Sequence, residues 1–308
     1  METDFKHIPI MLSEVTSGLN IRPDGIYLDC TIGGGGHSSE ILKHLKNGKL
    51  IGIDKDQDAI DACTKRFKGK DNVILYKGDF KDIEHILNKL GVDKLDGVLM
   101  DLGVSSHQID TVERGFSFRF DAPLDMRMDS SQSFSAMDVV NKYSLSHLTR
   151  VISEYGEEPY AKSIASNIIK NRPVTTTKQL AQIIENSMPK KVVFSRGGAH
   201  KKTFQAIRIE VNGELDRLFE SVMYLISKLK SGGRMAVLTF HSLEDRIVKN
   251  AFKLCATDCL CPPGTPICIC GHKKSVKLIN KKPLMASKDE QLQNPRSTSA
   301  KLRIVEKL

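Results

Sequence analysis

Three kinds of segment are missing from this sequence of 308 residues, and each absence excludes a class of protein. No apolar stretch approaches the roughly 20 residues that span a bilayer, so no membrane partner is expected. The first seven residues, Met-Glu-Thr-Asp-Phe-Lys-His, match neither a secretory signal nor an Arg-rich transit peptide, which predicts a cytoplasmic protein. Internal repeats and low-complexity segments are also absent. An apolar content of 40% suffices for a hydrophobic core, and the length predicts about two domains of roughly 150 residues.

Positive charge is abundant and concentrated in two segments. The net charge is +9, and residues 271–308 contain ten Lys or Arg but only three Asp or Glu. Residues 188–208 contain six Lys or Arg and no acidic residue. Because phosphate contacts release counterions, these two segments predict a polyanionic partner, with an incidentally lysine-rich surface as the alternative.

Short apolar runs alternate with helix-like segments between residues 25 and 102. Residues 26–30, 49–53, 73–76 and 95–100 are predicted strands. This alternation indicates βαβ units and a parallel sheet, and the almost continuously apolar strands indicate helices on both faces.

The pattern changes after Asp101. Residues 105–208 show helical periodicity without strong strands, and strand-like runs return at 234–240 and 302–305. The simplest interpretation is a mainly helical domain, 105–208, inserted into a discontinuous α/β domain formed by residues 1–104 and 209–308.

A glycine-rich segment, Asp29-Cys30-Thr31-Ile32-Gly33-Gly34-Gly35-Gly36-His37-Ser38, follows the first predicted strand. Glycines let the backbone approach a ligand closely, and the first amides of a following helix can bind an anionic group. A flexible turn is the alternative explanation. Asp54 favours the ligand site, because it ends the second strand about 20 residues after the loop, where such folds place an acid on ribose hydroxyls.

The next strand ends distinguish between two nucleotide cofactors. Asp79 and Phe80 follow the third strand, where they would offer an adenine a polar contact and an apolar wall. The dinucleotide fingerprint needs a third small residue, for which only Ser38 is available. With Asp101 at the end of the fourth strand, the pattern favours S-adenosylmethionine over a nicotinamide dinucleotide.

Asp101 is the candidate catalytic residue. Ligands of doubly wound sheets bind outside the carboxyl ends of the strands, where Asp101 is predicted to lie. A carboxylate there can accept a hydrogen bond from an amino group awaiting methylation, which matters for cytosine because its exocyclic lone pair is delocalised into the ring. This would be mainly positioning catalysis. The alternative is that Asp101 only orders the cofactor or caps the loop.

Several motifs resemble the ribosomal RNA small-subunit methyltransferase H family (MraW-like), and the resemblance covers nearly the whole chain. The motifs are residues 29–38, 100–108, 114–118, 123–129, 240–246 and 294–297. The resemblance implies a Rossmann-like, S-adenosylmethionine-dependent methyltransferase sheet with an inserted, mainly helical substrate-recognition domain. It implies methylation of the N4 amino group of a cytidine in 16S ribosomal RNA near the decoding centre, with that RNA or the small ribosomal subunit as partner. The residues it implies as cofactor contacts are Gly35, Gly36, His37, Asp54, Phe80, Asp101 and Gln108.

The predicted insert contains candidate RNA-binding residues. The segment Arg114-Gly115-Phe116-Ser117-Phe118-Arg119-Phe120 interleaves cations and aromatic rings, which is typical of single-stranded RNA binding; a small aromatic core is the alternative. Met126 and Met128 are expected to be packing residues. The basic residues expected to face phosphates are Lys190, Lys191, Arg196, Lys201, Lys202 and Arg208, with Gly197-Gly198 allowing loop movement.

After the 234–240 strand, a polar segment is a candidate for the substrate side of the site. It contains His241, Ser242, Glu244, Asp245 and Arg246. For Ser242 and Asp245 the favoured interpretation is simpler, an N-cap and the third helical residue of a capping box.

The seven cysteines divide into two groups. Cys30 and Cys63 are predicted core thiols, whereas Cys255, Cys259, Cys261, Cys268 and Cys270 cluster in sequence near His272. Four thiolates would suit zinc. Because the Cys-x-Cys pairs depart from Cys-x₂-Cys spacing and Pro262-Pro263-Gly264 indicates a surface loop, no metal ligand is assigned.

Three functional classes follow from these observations. An RNA N4-cytidine methyltransferase is the leading interpretation. A nicotinamide-dependent oxidoreductase would leave the basic segments unexplained, and the intact loop, Asp54 and Asp101 oppose a non-enzymatic RNA-binding ribosome-assembly factor. Whether the chain is a monomer or a homodimer, and whether the substrate is naked RNA or an assembled subunit, stays open.

Overall fold

In the computed structural model the described residues are 9–196, 200–262, 264–265 and 267–308. The chain forms two compact units, one containing the residues up to Gly103 together with Leu215–Leu308, the other Val104–Glu214. Among the described residues, no helix is both long enough and apolar enough to cross a lipid bilayer.

One mixed sheet organises the first unit, and its described part has eight strands in the order β3-β2-β1-β4-β5-β8-β6, with β7 paired to β8. Strands β1 to β5 are parallel, and β8 runs antiparallel to β5, β6 and β7. The strands are β1 (Ile26–Asp29), β2 (Lys49–Asp54), β3 (Val73–Lys77), β4 (Leu95–Asp101), β5 (Leu229–Thr239), β6 (Val276–Leu278), β7 (Leu284–Met285) and β8 (Lys301–Lys307). The predicted α/β class with a largely parallel, Rossmann-like sheet is confirmed.

Helices connect the strands of the first unit and form most of the second. The first unit contains α1 (Leu12–Leu19), α2 (Gly36–His44), α3 (Gln57–Arg66), α4 (Ile83–Lys89), α12 (Leu218–Lys228), α13 (Ser242–Cys255) and α14 (Lys288–Gln293). The second contains α5 (Ser106–Asp110), α6 (Ala136–Lys142), α7 (Leu145–Gly156), α8 (Ala161–Lys170), α9 (Thr177–Asn186), α10 (Lys190–Arg196) and α11 (His200–Asn212).

Both faces of the sheet are covered by apolar side chains. Successive strand residues point to opposite faces. In β4, Val98 and Met100 belong to the core shared with α12 and α13, whereas Leu99 belongs to the core shared with α1 and α2. This double burial explains why the strands are almost uniformly apolar instead of alternating with polar residues.

The strand order reverses at β1, which lies between β2 and β4. Asp29, the last residue of β1, pairs with Gly52 on one side and with Leu99 on the other. Strands β2 and β4 therefore each extend two residues beyond β1, to Asp54 and Asp101. These two carboxylates flank the position where the chain leaves β1, the type of switch point at which doubly wound sheets bind ligands.

The second unit packs its helices around a core of its own. Leu148, Ile164, Leu180 and Ile207, from four different helices, are fully buried in it. Met126 is buried in the same core and Met128 is also buried, which confirms that both are packing residues.

The helix after β5 begins one residue earlier than the predicted capping box requires, so that prediction was wrong. His241, not Ser242, is the N-cap of α13, and Glu244, not Asp245, completes the capping box. A His side chain can act as an N-cap because its unprotonated ring nitrogen accepts a backbone hydrogen bond, here from Glu244 at 3.4 Å. Asp245 instead forms a two-point ion pair with Arg303 of β8.

Candidate active site

The chain that leaves β1 is held to both neighbouring strands. The amide of Cys30 donates to the Leu99 carbonyl of β4 at 2.9 Å, and the amide of Ile32 donates to the Ile53 carbonyl of β2 at 2.9 Å. The Asp101 amide donates to Thr31 Oγ1 at 2.6 Å. The start of the glycine loop is therefore fixed before the first glycine is reached, which a flexible turn would not require.

Asp29 connects the strand, the loop and helix α2. Its buried carboxylate accepts the Thr31 amide at 3.1 Å and the Ser38 hydroxyl at 2.7 Å. Burial raises the pKa of Asp29 to about 6, against the lowering effect of these two hydrogen bonds. Asp29 and Ser38 were part of the glycine-loop motif, but sequence reasoning gave Asp29 no role; an acid at the end of an otherwise apolar strand was the available signal.

The loop glycines serve different purposes. Gly33 and Gly35 have φ angles of 50° and 76°, which glycine adopts without strain. A Cβ at Gly35 would lie 2.9 Å from the Phe67 ring and one at Gly36 would clash with Pro9, so packing within the chain explains both glycines. A Cβ at Gly34 would meet no heavy atom within 4 Å. The loop therefore leaves room for a ligand on the side of Gly34.

Asp54 lies at the end of β2 and contacts the loop. Its Oδ2 accepts the Gly33 amide at 2.9 Å, and its Oδ1 accepts the Asp56 amide at 2.9 Å. Burial raises the pKa of Asp54 to about 6, while these amide hydrogen bonds act to lower it. Each carboxylate oxygen has two lone pairs, so both oxygens can still accept a ligand hydroxyl.

The predicted adenine residues lie just beyond β3. Asp79 caps a short 3-10 helix by accepting the Lys81 amide at 3.0 Å, and its carboxylate is 3.6 Å from Lys55 Nζ and 3.5 Å from Lys81 Nζ. Phe80 is half-buried and packs against the core. An acceptor next to a ring edge is compatible with the adenine prediction, which stays a prediction.

Asp101 and His37 come together at the end of β4. His37 Nε2 is 3.6 Å from Asp101 Oδ2, with His37 buried and Asp101 28% exposed. Burial and the like charges of Asp29 and Glu244 raise the pKa of Asp101 to about 8. A carboxyl with a pKa this high, at the sheet edge, is typical of functional sites. A nearby cation would stabilise the charged form of Asp101 and lower its pKa.

Glu244, from the capping box of α13, contributes to this electrostatic environment. It is buried, and its Oε2 accepts the amides of Phe240 at 2.9 Å and of His241 at 3.3 Å. Its influence on the pKa of Asp101 adds a third carboxyl to Asp29 and Asp101. We refer to Asp29, Asp101 and Glu244 as the acidic cluster.

Gln108 belongs to the second unit. It is buried in α5, where its side chain accepts the Ser105 amide at 3.0 Å and its own amide donates to Ser105 Oγ at 3.2 Å. This capping box holds the start of α5. The role of Gln108 as a cofactor contact stays a prediction.

The proposed base-stacking segment is only partly available for RNA. Phe116 and Phe118 pack against the core of the second unit, and the Phe118 ring lies 5.3 Å from that of Phe204. Arg114 donates to the carbonyls of Arg127 and Met128. These three residues complete the local fold, as the aromatic-core alternative predicted, and their binding to RNA stays a prediction. Arg119 and Phe120 are exposed.

The basic residues of segment 188–208 also differ from one another. Lys190, Lys191 and Lys201 are exposed, as is Lys202, whose Nζ donates to the Glu157 carbonyl at 2.7 Å. Arg208 is not directed at a partner as predicted: it forms a two-point ion pair with buried Glu214, at 2.8 and 2.9 Å. The Arg196 side chain and Gly197-Gly198 lie outside the described residues.

The basic C-terminal segment forms part of the sheet edge and leaves most of its charges exposed. Lys301 and Arg303 of β8 are paired with Asp245, and Lys277 is paired with Glu306. Six further basic residues of the segment lie outside β8 and are exposed: Lys273, Lys274, Lys281, Lys282, Lys288 and Arg296.

Comparison with known proteins places the chain in a family. The family model described as the MraW methylase family matches residues 4–308. The chain belongs to the MraW methylase family. Proteins named ribosomal RNA small subunit methyltransferase H from Clostridium botulinum (strain Loch Maree / Type A3) and Finegoldia magna are each 50% identical to it over 310 residues. The alignments cover 99% of this chain and 100% and 99% of those proteins, and a Caldicellulosiruptor saccharolyticus relative of the same name is also 50% identical.

Family membership decides between the functional classes. The chain is a methyltransferase that uses S-adenosylmethionine as its methyl donor, as the sequence predicted. The two alternatives, a nicotinamide-dependent oxidoreductase and a non-enzymatic assembly factor, are therefore set aside. The open side of the glycine loop at Gly34 and the acidic cluster fit a nucleoside ligand that carries positive charge.

Proposed function

We propose that this enzyme methylates the N4 amino group of a cytidine in small-subunit (16S) ribosomal RNA, near the decoding centre. The relatives that are half identical to it bear the name of a small-subunit ribosomal RNA methyltransferase. The observation that carries the choice of an amino group is Asp101, a carboxyl at the edge of the sheet beside the glycine loop. On this proposal the enzyme acts in the cytoplasm, where ribosomes are assembled.

The cofactor would be held by the glycine loop and the strand ends beside it. We propose Gly35, Gly36 and His37 as contacts for its polar groups because they stand at the start of α2, where the first amides of a helix can bind such groups. The free lone pairs of Asp54 would accept the ribose hydroxyls, and Phe80 would pack against the adenine. Gln108 completes the set of proposed contacts. When bound, S-adenosylmethionine supplies a methyl group activated by its positively charged sulfur.

The acidic cluster suits that positive charge. When all three carboxyls of the acidic cluster are charged, they repel one another. Together with burial, this repulsion keeps the pKa of Asp101 near 8. A cationic ligand lowers that repulsion and returns Asp101 to its charged form. The site therefore favours a cationic donor over its neutral-sulfur product.

Charged Asp101 can then act on the nucleophile. A carboxylate accepts a hydrogen bond from one N–H of the cytosine amino group, which turns the nitrogen toward the methyl donor. The same oxygen can receive the proton that the nitrogen must lose once it is methylated. The protonated carboxyl accepts a hydrogen bond more weakly and cannot take up that proton, so proton acceptance requires Asp101 in its charged form.

We further propose that the second unit recognises the RNA. Its exposed Lys190, Lys191 and Lys201 would contact phosphates, and exposed Arg119 and Phe120 would contact an unstacked base. The exposed lysines of the C-terminal segment would add phosphate contacts.

The proposal is tested by mass spectrometry of 16S ribosomal RNA from cells that lack the enzyme, complemented with the wild type or with Asp101→Asn. We expect one cytidine to lose a methyl group on its base and to regain it only with the wild type. An unchanged methylation map, or a methyl group on another atom, would overturn the N4 assignment. Assays with naked 16S RNA and with small subunits then identify the substrate form.

A further inference from the structure

A second group of reactive side chains lies between α13 and β6, outside the candidate active site. The sequence places five cysteines and a histidine here, and the fold separates them. Cys255 is buried in the core, with its Sγ 3.4 Å from Met223 Sδ. His272 Nε2 is 3.0 Å from the Leu254 carbonyl. The other four thiols form a cluster of their own, which we call the cysteine knuckle: Cys259, Cys261, Cys268 and Cys270.

The thiols of the cysteine knuckle converge on one point. All four sulfurs lie within 4.8 Å of one another. Cys259 Sγ is 3.5 Å from Cys268 Sγ and 3.8 Å from Cys270 Sγ, and the last two are 3.6 Å apart. Four sulfurs bound to one zinc at about 2.3 Å stand roughly 3.8 Å apart, the edge of that tetrahedron. The spacing in the structure is therefore that of a metal-thiolate site and much longer than the roughly 2.05 Å of a disulfide.

Backbone amides are directed at the same sulfurs. The Leu260 amide donates to Cys270 Sγ at 3.3 Å, and the Ile269 amide donates to Cys261 Sγ at 3.4 Å, so each Cys-x-Cys segment donates to the other. The Cys261 amide donates to Cys259 Sγ at 3.4 Å. Such hydrogen bonds favour the charged thiolate, which is the form that binds a metal, and they fix the orientation of the ligands.

Apolar burial does not explain why these thiols meet. None of the described residues from Ala256 to Ser275 is buried. Three large apolar side chains of the segment face solvent instead: Leu260, Ile267 and Ile269 are 50%, 76% and 83% exposed. A segment without a core needs a cross-link to keep one conformation, and a structural metal is a common cross-link in small folds.

We propose that Cys259, Cys261, Cys268 and Cys270 bind one structural Zn²⁺ ion. Four protein ligands close the coordination sphere, which marks a structural site and not a catalytic one. The ion would hold the segment between α13 and β6 in shape and keep the exposed apolar side chains in fixed positions. The proposal does not depend on the RNA substrate.

Metal analysis of the full-length enzyme tests the proposal. The protein is purified under reducing conditions without chelator, then unfolded, refolded with ZnCl₂ and desalted. We expect about one zinc per chain in both preparations, as a closed four-thiolate site requires. Zinc well below stoichiometry after refolding with ZnCl₂, in protein whose seven thiols are all reduced, would overturn the proposal.

Two single-cysteine variants localise the ion. Cys268→Ser removes a ligand and should lose most of the zinc, whereas Cys255→Ala removes the neighbouring core thiol and should keep it. Equal zinc content in wild type and Cys268→Ser would overturn the assignment. S-adenosylhomocysteine binding, measured on each variant, shows that the sheet is still folded.

Cobalt and proteolysis give readouts on the wild-type chain that need no variant. Co²⁺ in place of zinc should produce the visible absorption of a tetrahedral thiolate complex. Chelation should speed proteolytic cleavage between residues 256 and 275 at least severalfold, and added Zn²⁺ should reverse this. Cobalt without that absorption, or cleavage indifferent to chelator and zinc, would contradict a structural metal.

Discussion

The candidate cofactor site of the first unit and the exposed lysines of the second unit present their charges in opposite ways. In the first unit, Asp29 and Glu244 are buried and Asp101 is largely so, with backbone amides or hydroxyls bound to the first two. In the second unit, Lys190 and Lys191 are exposed. Burying a charge is unfavourable in free energy, so a ligand of opposite charge is bound strongly when it neutralises one. An exposed charge contributes little to each contact, and its effect becomes large only when many contacts are summed. The first arrangement suits one small cationic ligand, and the second suits a polyanion.

The largest effect that would test this contrast is expected at Asp101. Asp101→Asn keeps the shape but removes the charge that positions the amino group and accepts its proton. We expect kcat to fall by about 10²- to 10³-fold, the size of a lost general base. Single-turnover methylation with a labelled donor measures it, and Asp93→Asn, at an exposed carboxyl just before β4, is the control. Normal turnover with unchanged cofactor affinity would remove Asp101 from both of its proposed roles.

A smaller effect is expected at Asp54, on binding and not on the chemical step. Asp54→Ala removes the ribose acceptor and the partner of the Gly33 amide. Lost hydrogen bonds to a charged group cost about 1.5–3 kcal/mol, so calorimetry should show S-adenosylhomocysteine binding roughly 10- to 100-fold weaker. If turnover at saturating cofactor fell by as much as affinity, the assignment of Asp54 to binding alone would be wrong.

The pH dependence of stability should have opposite signs at Asp101 of the first unit and at Asp138 of the second. The folded pKa of Asp101 is raised from 3.8 to about 8, so the folded state binds more protons and stability falls as pH rises from about 4 to 8. Asp101→Asn removes this cost, which predicts stabilisation by about 1–2 kcal/mol above pH 8 and none near pH 4, after allowing for solvent screening. Urea unfolding of the cofactor-free protein measures it.

Asp138 of α6 is the matched comparison. Hydrogen bonds from Lys142 and Ser135 lower its pKa to about 2, so its contribution is present above about pH 4 and is lost as pH falls through 2. Asp138→Asn should therefore destabilise the protein at neutral pH. A stabilising Asp138→Asn, or an Asp101→Asn effect that does not depend on pH, would contradict this contrast between the two carboxyls.

The smallest effect is expected from the exposed lysines. Lys190→Glu with Lys191→Glu should weaken RNA binding by about three- to tenfold at physiological salt and flatten its salt dependence, while leaving cofactor affinity unchanged. Filter binding at several salt concentrations measures both quantities. A double reversal of exposed Lys162 and Lys178 in the same unit controls for net charge; equal weakening by both pairs would argue against a specific surface.

Arg208 sharpens the same comparison. It lies in the same basic segment, but its charge is already neutralised by Glu214. Arg208→Glu should therefore lower the thermal stability of the protein, with RNA binding lost only in proportion to unfolding. Selective loss of RNA binding in a fully stable variant would restore the original expectation for this residue.

Local sequence determined the α/β class and the strand ends that carry the site. Apolar runs bounded by acids and glycines predicted β1 to β5, because strands covered by helices on both faces are almost continuously apolar. Short strands that are mostly exposed carry no such signal, and β6 and β7 were therefore not predicted. Both residues of β7 are exposed, and the strand is defined by its pairing with β8.

Only the tertiary structure decided which partner each polar side chain would meet. Arg208 and Lys190 have the same charge in one segment, but only Arg208 is folded against a buried carboxylate. Cys255 and Cys259 are four residues apart, yet one joins the core and the other joins the thiols of Cys261, Cys268 and Cys270. Sequence periodicity reports which side of an element is buried; it carries no information on which charge or thiol from elsewhere in the chain arrives beside it, because that depends on long-range packing.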